Sequence, residues 1–481
     1  MNLRIVAYVM GRLLYALTIA ILIPFFAALV WHEPVMNFGI TFFISLFVAG
    51  ICTNQGELPE DKLSLREGIA VTGIGWFIAS IITSLPFMLG TDMSIADCLF
   101  EGTSGITGTG GTIIDDLTSI SDSLILWRSL AHWLGGIGII VIFIAIFPQP
   151  GNGSMYMFFA EGSGPISERI MPRIKTTANA LLALYIVLTI ALTAVLIFIC
   201  DIAPFNALNT SMSAIATGGF SDQNGSIGNF NSLTAEISIM IFMLIGGGNF
   251  GLYFMAWRKG IRCMWQNTEF RVYIGIFTTI SLLITLNLAT AGGMDWNYAL
   301  RYATFQTASV LTTTGFTTTD FDQWPTFSKL CLLLLMFTGG CAGSTSGGMK
   351  LTRLIILFKM IYTFILKILH PRSIIHIKLD HKKLPDNVAF QVARFFFIYI
   401  MLCLVLGIIV SLDGVPAMDA IAIGISTMAN AGVAFGVASG SFSVLPPVSK
   451  LTCCIFMILG RLEIFTLLAM FQPEFWRRGN W

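Results

Sequence analysis

Four short polar segments, each containing a central glycine, interrupt an otherwise apolar sequence at intervals of roughly a hundred residues. They span residues 107–111, 216–220, 313–316 and 430–433. Irregular backbone persists at membrane depth only where protein buries it or where it lines a watery cavity. A pore strips water from an alkali cation only if it presents several carbonyl or hydroxyl oxygens together. Four such segments in one chain can therefore close a ring that conducts ions.

The residue types suit this chemistry. Carbonyl groups point at a common axis only if the backbone adopts unusual dihedral angles, which glycine tolerates. Three of the central glycines follow a threonine, whose hydroxyl would add an oxygen, and the fourth follows an alanine. The predicted potassium ligands of this selectivity filter are Thr109, Gly110, Thr217, Gly218, Thr314, Gly315, Ala431 and Gly432. The alternative is that glycine here only permits close helix packing, which explains one loop better than four in register.

A repeat becomes visible when positions are counted from each central glycine. Six residues before it stand Ser104, Met212, Ser309 and Ser426. Thirteen residues before it stand Asp97 and Asp419, with Asn206 one place later in the second segment. Further glycines begin between 24 and 28 residues after it, at 135–136, 246–248, 339–340 and 460. Each unit is thus a crossing helix, a short helix that cannot span a bilayer, the polar loop and a second crossing helix.

These units predict an all-α polytopic membrane protein with about ten transmembrane helices, in which four pseudo-symmetric repeats of helix, pore helix, filter loop and helix surround a central pore. The predicted parts are an extra N-terminal helix pair at 1–56 and pore repeats at 57–150, 151–262, 263–370 and 371–481. The second helix of the third repeat is expected to be interrupted, because five of the ten residues from 339 to 348 are glycine.

Composition independently indicates a membrane protein. Of the 481 residues, 55% are hydrophobic and 11% are charged, and the mean hydropathy is +0.81. These values lie far outside the range of soluble domains. Apolar runs long enough to cross a bilayer occur at 5–30, 37–53, 67–90, 124–148, 178–200, 233–257, 271–291, 388–412 and 449–471, and a tenth run that begins at Leu330 is cut by glycine. The first run is too long for the apolar core of a signal peptide, so we expect a retained helix.

The distribution of charge predicts the orientation. Basic residues concentrate in alternate loops, for example 258–262 and 350–383, which the positive-inside rule makes cytoplasmic. The other loops are acidic, and their few bases are Arg128, Arg301, Lys329 and Lys450. Both termini are therefore predicted to be cytoplasmic, which fits ten crossings. The net charge of +1 and the lack of basic stretches interleaved with aromatic residues give no indication of a nucleic-acid partner.

One charge lies deep in an apolar run. Arg461 stands about ten residues from either end of its predicted helix, which is too deep for its side chain to reach the interface easily. A charge at that depth is expected to face the pore or a partner. The structural alternative is an ion pair with Glu463, although residues two apart on a helix point in different directions. The interrupted segment 339–348 must likewise border water or protein.

Several motifs resemble the Trk/Ktr/HKT superfamily of potassium transporters. They lie at 100–110, 216–221, 312–316, 339–345 (Gly-Gly-Cys-Ala-Gly-Ser-Thr) and 460–466 (Gly-Arg-Leu-Glu-Ile-Phe-Thr). The resemblance covers nearly the whole chain, and the extra N-terminal helix pair makes it closest to the membrane subunit of the bacterial Trk system. It implies a single-file pore of four pseudo-equivalent repeats, with potassium as the transported ion.

The same resemblance implies a gate and partners. The interrupted segment would block the path below the filter, and Arg461 would form an electrostatic barrier that meets it. The implied gating residues are Arg461, Gly343, Ser344, Thr345, Ser346, Gly347 and Gly348. The resemblance also implies a homodimer and a peripheral cytoplasmic regulatory subunit that binds nucleotide and docks on the basic segment 359–383. Anchoring to anionic membrane lipid is the alternative for that segment. No covalently bound cofactor is expected, and a nucleotide would bind only through the partner, because the sequence lacks a Walker A motif.

The transported ion has two alternatives within the family. Glycine at every filter position goes with potassium selectivity there, whereas serine in the first filter goes with sodium transport in plant relatives. This chain departs from the family pattern at Gly108, where threonine is usual, and at 429–434 (Ala-Asn-Ala-Gly-Val-Ala), where the Trk pattern is Asn-Asn-x-Gly-Pro-Gly. Potassium uptake across the bacterial inner membrane is expected, and a sodium or poorly selective monovalent cation transporter is the alternative.

A membrane enzyme is a more remote alternative. Residues 102–105 (Gly-Thr-Ser-Gly) match the GxSG pattern of rhomboid-type intramembrane serine proteases, and His132 is a conceivable base. However, Ser104 has counterparts in Ser309 and Ser426 at the same repeat position, and three repeats do not each need a nucleophile. The chain is therefore expected not to be an enzyme.

Overall fold

The computed structural model describes residues 1–57, 64–138, 174–373, 375–380, 382–462 and 464–477. The first helices are α1 (Leu3–Val30), α2 (Met36–Gln55), α3 (Leu65–Gly90), α4 (Ile95–Thr107) and α5 (Asp122–Gly136). They are followed by α6 (Ile174–Phe198), α7 (Pro204–Ile215), α8 (Leu233–Gly246), α9 (Phe250–Lys259), α10 (Arg262–Gln266), α11 (Thr268–Thr290), α12 (Trp296–Leu311), α13 (Thr326–Thr338) and α14 (Leu351–Leu369). The last are α15 (Asp386–Ser411), α16 (Ala417–Ala429), α17 (Pro447–Arg461), α18 (Ile464–Met470) and α19 (Pro473–Trp476).

One short hairpin departs from the all-α expectation. It pairs β1 (Lys378–Leu379) with β2 (Lys382–Lys383) in antiparallel register, Lys378 opposite Lys383. The hairpin lies in the basic segment between Pro371 and Pro385, and proline limits helix formation there.

The long helices confirm a polytopic membrane protein. Among the described residues, six helices are long and apolar enough to cross a bilayer, or eight if two bent helix pairs are each one span. The predicted count of about ten also includes α13 with α14, which an irregular segment separates, and the run 124–148, of which 139–148 lies outside the described residues. Large apolar side chains such as Phe43, Phe198 and Leu334 are exposed on the outer surfaces, where lipid would cover them.

Four of the short helices lead into the polar loops, and none of these four is long enough to span a bilayer. These pore helices 1 to 4 are α4, α7, α12 and α16, with 13, 12, 16 and 13 residues. Each follows a long helix and ends at one of the polar loops. Each loop is followed by a short 3-10 turn, at Leu117–Ser119, Ser226–Phe230, Phe321–Gln323 and Gly436–Ala438. This fourfold recurrence has the predicted order of elements within a repeat.

The helices that follow the loops break where glycines were noted in the sequence. The break between α8 and α9 bends the chain by 92°, and that between α17 and α18 by 117°. The predicted apolar runs 233–257 and 449–471 are therefore bent helix pairs rather than straight helices. Arg461 consequently stands at the end of α17 rather than in the middle of a helix.

Packing against the pore helices explains the glycines near the ends of these helices. A Cβ atom on Gly135 would lie less than 3.0 Å from the carbonyl oxygen of Ile106, at the end of pore helix 1. A Cβ on Gly460 would meet the carbonyl oxygen of Met428, at the end of pore helix 4, equally closely. Only glycine fits where the following helix passes the end of a pore helix. Close packing is thus the role of these glycines.

The four bases assigned to the outer loops each form an ion pair. The pairs are Arg128–Glu101, Arg301–Glu236, Lys329–Asp322 and Lys450–Asp97, with N–O distances of 2.7, 2.7, 3.6 and 2.6 Å. Because Lys450 lies on α17 and Asp97 on α4, the last pair joins the final repeat to the first. The repeats therefore meet around a closed circle.

Candidate ion pathway

Each pore helix leads into a loop with the same backbone pattern. Two residues in each loop have a left-handed φ, and they stand two positions apart. The first members of these pairs are Gly108, Thr217, Thr313 and Asn430, with φ between 50° and 67°. The second members are Gly110, Gly219, Gly315 and Gly432, with φ between 68° and 86°. Left-handed backbone favours glycine, which explains why the second member is a glycine in all four loops.

The second glycines bring the loops into contact with one another. A Cβ atom on any of them would lie less than 3.0 Å from a carbonyl oxygen of the next loop. The facing pairs are Gly110 with Gly218, Gly219 with Thr314, Gly315 with Ala431, and Gly432 with Thr109. Since the fourth loop returns to the first, the loops form a closed ring of backbone carbonyl groups. No side chain fits at the four glycines without displacing that ring.

The structure differs from the predicted register in the second loop. Gly219, not Gly218, corresponds to the central glycines of the other loops. Gly218 corresponds instead to Thr109, Thr314 and Ala431, and its carbonyl faces the first loop. Counting from Gly219 places Ser213 six residues earlier and Asn206 thirteen residues earlier. All four repeats then carry serine six residues before the central glycine. This agreement was the sequence signal that could have identified Gly219 as the central glycine of the second loop.

The threonine hydroxyls of the loops bond to neighbouring protein groups. Thr109 Oγ1 lies 2.8 Å from Thr107 Oγ1 and accepts a hydrogen bond of 2.8 Å from Asn430 Nδ2. Thr314 Oγ1 lies 2.7 Å from Thr312 Oγ1. These hydroxyls hold loops 1 and 3 against their pore helices. The main-chain carbonyl groups are therefore the oxygens that the ring offers to an ion.

A cavity of about 710 Å³ opens on one side of the ring. Its lining includes the second glycines of three loops, Gly110, Gly219 and Gly432, together with Asp115 and Asp320. Carboxylates at such a mouth raise the local concentration of cations. The cavity thus presents carboxylates beside the ring.

In the structure the interrupted segment spans 339–350, between α13 and α14. It lies against the C-terminal ends of the pore helices. Thr345 Oγ1 donates to the Ile215 carbonyl at 2.9 Å, at the end of pore helix 2. The Gly347 amide donates to Thr313 Oγ1 at 2.7 Å, beside the third loop. A Cβ on Gly347 would clash with the Ala429 carbonyl at the end of pore helix 4. The segment therefore contacts three of the four repeats directly beside the filter loops.

The other predicted gating residues hold this segment in shape. Ser344 Oγ donates to the Cys341 carbonyl at 2.6 Å and lies 2.6 Å from Ser346 Oγ. The Gly343 carbonyl accepts the Phe250 amide at 3.2 Å, which ties the segment to the start of α9. Gly348 has φ 75° and packs on Gly339.

Arg461 bridges the segment to the helix after the first loop. Its Nη1 donates to the Thr345 carbonyl at 2.8 Å, and its Nη2 donates to the carbonyl groups of Gly136, at 2.7 Å, and Gly135. The structure thus brings Arg461 to the interrupted segment. Glu463, the partner in the alternative ion pair, lies outside the described residues.

Sequence reasoning missed a second cation in this region, and this one is buried. Lys350 was grouped with the basic cytoplasmic stretch, but it is 2% exposed. Its ammonium group donates to the Ser346 carbonyl and lies 3.4 Å from Ser344 Oγ. The change from apolar to polar sequence at 344–350 could have indicated a polar site around Lys350. It does not show whether the lysine side chain points into that site or toward water.

The whole sequence also matches known proteins. The family model described as TrkH, a cation transport protein, matches residues 34–478. The chain belongs to the TrkH family of cation transport proteins. The Trk system potassium uptake protein TrkH of Escherichia coli K12 is 35% identical over 487 residues, which cover 99% of this chain and 100% of that protein. The protein of the same name from Vibrio parahaemolyticus is 36% identical over 488 residues, with the same coverage. The crystal structure of the potassium transporter TrkH from Vibrio parahaemolyticus matches with a TM-score of 0.90 at 33% identity, covering 99% of this chain and 100% of that one.

The serine of the protease-like motif has a structural role in this TrkH family member. Ser104 Oγ donates to the Gly111 carbonyl at 2.6 Å and so holds the first loop against its pore helix. The proposed base, His132, has its Nδ1 beside Ser213 at 3.1 Å instead. The GxSG match therefore lacks the serine–histidine contact that would activate a nucleophile.

A second missed feature of the TrkH fold lies behind the first two loops. Glu101 and Arg128 are buried, and Glu101 also accepts the Ile113 amide at 3.1 Å. Arg128 donates to the Ser221 carbonyl at 3.1 Å, and its guanidinium carbon lies 4.1 Å from the centre of the Phe220 ring. The ion pair thus joins the chain segments that follow loops 1 and 2. The sequence placed Arg128 in an outer loop, because its partner stands 27 positions away.

Asp222 gives this TrkH family member a testable pH dependence. Burial raises the pKa of its carboxyl group to about 6, although the nearby Arg128 guanidinium opposes the rise. Because the folded-state pKa exceeds that of an unfolded aspartate, the stability contributed by the protonated group is complete below about pH 4 and is lost as the pH rises through about 6. The loss by pH 7.5 should be of the order of 3 kcal/mol.

Asp222→Asn should remove this part of the pH dependence. We expect thermal unfolding in detergent to occur at a higher temperature for the variant than for the intact protein at pH 7.5, and at nearly the same temperature at pH 4. Asp116→Asn is the control, since hydrogen bonds from Asn224 and Thr118 lower the pKa of that exposed carboxyl. Equal pH dependence in Asp222→Asn and the intact protein would contradict the assignment.

Proposed function

We propose that this protein takes up potassium ions into the cell through the ring formed by the four loops. The observation that supports this best is the closure of the ring, in which each second glycine abuts a carbonyl oxygen of the next loop. A ring of backbone carbonyl groups can replace the hydration shell of a potassium ion. The relatives from Escherichia coli and Vibrio parahaemolyticus are named as potassium uptake proteins, which favours potassium over sodium. The predicted filter residues act through these backbone oxygens.

The proposal places the protein in the bacterial inner membrane with both termini in the cytoplasm. The N-terminus supports this orientation, because the Asn2 amide donates to Glu67 Oε1 at 2.9 Å and Arg4 pairs with Glu57 at 2.5 Å. The start of the chain therefore lies beside the connection between α2 and α3, which the sequence assigns to the cytoplasm. The acidic cavity would then be the outer entrance.

We further propose that the segment 339–350 closes the path in the conformation described, with Arg461 holding it in place. A peripheral nucleotide-binding subunit would shift this equilibrium by docking on the cytoplasmic surface, where Lys367, Arg372 and Lys378 are exposed. Contact with anionic lipid is the alternative role of these bases. A homodimer is proposed from the resemblance to the Trk system.

Flux measurements in liposomes test the proposed function. Purified protein is reconstituted, and potassium and sodium fluxes are measured separately, with protein-free liposomes as the control. Potassium flux should exceed sodium flux several-fold. Comparable fluxes would favour the sodium or poorly selective alternative. No flux of either ion, even with a regulatory subunit present, would overturn the pore.

A further inference from the structure

The second filter loop has glycine where the other loops carry a side chain. Gly218 stands at the position of Thr109, Thr314 and Ala431. The backbone does not demand glycine there, since the left-handed φ belongs to Gly219. A Cβ on Gly218 would, however, lie less than 3.0 Å from Nδ1 and Cγ of His132. The imidazole ring occupies the space that a side chain at 218 would need.

His132 reaches the loop from α5 and is completely buried. Its ring stacks on Phe220, with centroids 4.0 Å apart and 16° between the ring planes. Its Nδ1 accepts the Phe220 amide at 3.4 Å and lies 3.1 Å from Ser213 Oγ. A ring nitrogen that accepts an amide hydrogen carries no proton itself. With Nδ1 as the acceptor, the neutral imidazole carries its proton on Nε2 and the Ser213 hydroxyl is the group that donates to Nδ1.

Two other loops are held by a different contact. In loop 1 Ser104 Oγ donates to the Gly111 carbonyl at 2.6 Å, and in loop 3 Ser309 Oγ donates to the Phe316 carbonyl at 2.7 Å. The equivalent serine of loop 2 is Ser213, whose hydroxyl faces the imidazole. The second loop is thus held through an amide hydrogen rather than through a carbonyl oxygen.

This difference bears on the oxygen that the loop presents. In a trans peptide the N–H and C=O groups point in opposite directions. Holding the Phe220 amide toward His132 therefore directs the Gly219 carbonyl away from the imidazole ring. Losing the contact would leave this carbonyl less restrained than its counterparts.

We propose that His132 and Gly218 form a matched pair that positions the second filter loop and so contributes to potassium selectivity. The proposal rests on the proposed function of the ring as a potassium filter. His132 is a positioning residue, because it touches the loop and not the ion. Gly218 provides the space for its ring.

The test compares variants of His132 in the liposome flux assay. His132→Leu removes the acceptor and should raise the half-saturating potassium concentration about tenfold, with a smaller change in maximum flux. The ratio of sodium flux to potassium flux should also rise in this variant. His132→Asn, which keeps an oxygen near the position of Nδ1, should recover most of the selectivity. Trp133→Phe is the matched control on the same helix, since its indole donates to Thr189 at 3.1 Å, away from the loops.

A double-mutant cycle tests the pairing itself. Gly218→Ala alone should impair selectivity, because its methyl group meets the imidazole. Adding His132→Ala opens that space, so the double variant should lose less than the sum of the two single effects. Strictly additive effects would show that the two residues do not act as a pair.

The controls separate this inference from the proposed function. Absent flux in the intact protein would count against the potassium pore, whereas normal flux in the intact protein with unchanged half-saturation and ion ratio in His132→Leu would overturn the pair.

Each variant is checked by size-exclusion chromatography and by the stabilisation that potassium gives against thermal unfolding. If His132→Leu does not fold, Ser213→Ala removes only one hydroxyl from the same contact and should shift the ion ratio in the same direction. An unchanged ratio in that variant would equally overturn the proposal.

Discussion

Gly110→Ala should reduce potassium flux about a hundredfold or more, whereas Gly108→Ala, two residues earlier, should keep most of it. Both glycines have a left-handed φ, of 80° and 67°, so alanine costs similar backbone strain at either position. Their surroundings differ. A Cβ on Gly110 would clash with the Gly218 carbonyl, while a Cβ on Gly108 meets nothing within 4 Å. Only the first substitution displaces the carbonyl ring.

Flux in liposomes at equal protein content is the measurement, with correct folding verified for both variants. Gly432→Ala provides a second arm, because its Cβ would clash with the Thr109 carbonyl on the other side of the first loop. Equal losses in Gly108→Ala and Gly110→Ala would mean that backbone strain, and not closure of the ring, limits the flux. Full flux in Gly110→Ala would show that ions do not pass through the ring.

The number and order of elements followed from the sequence because polar loops are costly in an apolar chain. Four such loops at similar spacing had to be shielded from lipid together, and this requirement predicted the ring. The register within the second loop did not follow as readily. Ala216–Phe220 contains two adjacent glycines, and only the backbone dihedral angles show that Gly219, with φ 82°, is the equivalent residue. The four serines at one position would have resolved this ambiguity.

The breaks in the helices after the loops could not be derived from hydropathy. A run such as 449–471 is mostly apolar, so its composition fits a straight crossing. Its break depends on Gly460 meeting the carbonyl of Met428, a contact between elements that are distant along the chain. This contact exists only when the repeats are assembled. The sequence shows the glycine but not the carbonyl group that it meets.

Charged residues were the least predictable part of the site. Arg128 and Lys350 stand near predicted loop boundaries, where a charge usually reaches water. In the structure both are buried, because Glu101 neutralises the first and polar groups of residues 344–346 surround the second. The sequence singled out Arg461 as a charge that needs a partner, since its apolar surroundings extend in both directions. What it contacts could come only from the structure.

Arg461→Ala should raise potassium flux about tenfold in the absence of any regulatory partner. The guanidinium group links the Thr345 carbonyl of the interrupted segment to the Gly136 carbonyl at the end of α5. Removing it releases the segment from that helix and also removes a positive charge from beside the path. Releasing the segment opens the path. Removing the charge lowers the barrier, because a positive charge in a low-dielectric site repels cations strongly. Deletion of residues 343–348 should raise the flux further.

Arg461→Lys separates the two contributions. Lysine keeps the charge, but its ammonium group lacks the planar fork with which the guanidinium donates from two nitrogens to carbonyl groups on two elements. If the bridge holds the gate, Arg461→Lys should conduct nearly as well as Arg461→Ala. If the charge is the barrier, Arg461→Lys should remain close to the intact protein. Arg258→Ala, which removes an exposed arginine at the end of α9, is the control and should leave the flux unchanged. Unchanged flux in both Arg461→Ala and the deletion would reduce the segment to a packing element, because a barrier cannot be removed without effect on the ions that cross it.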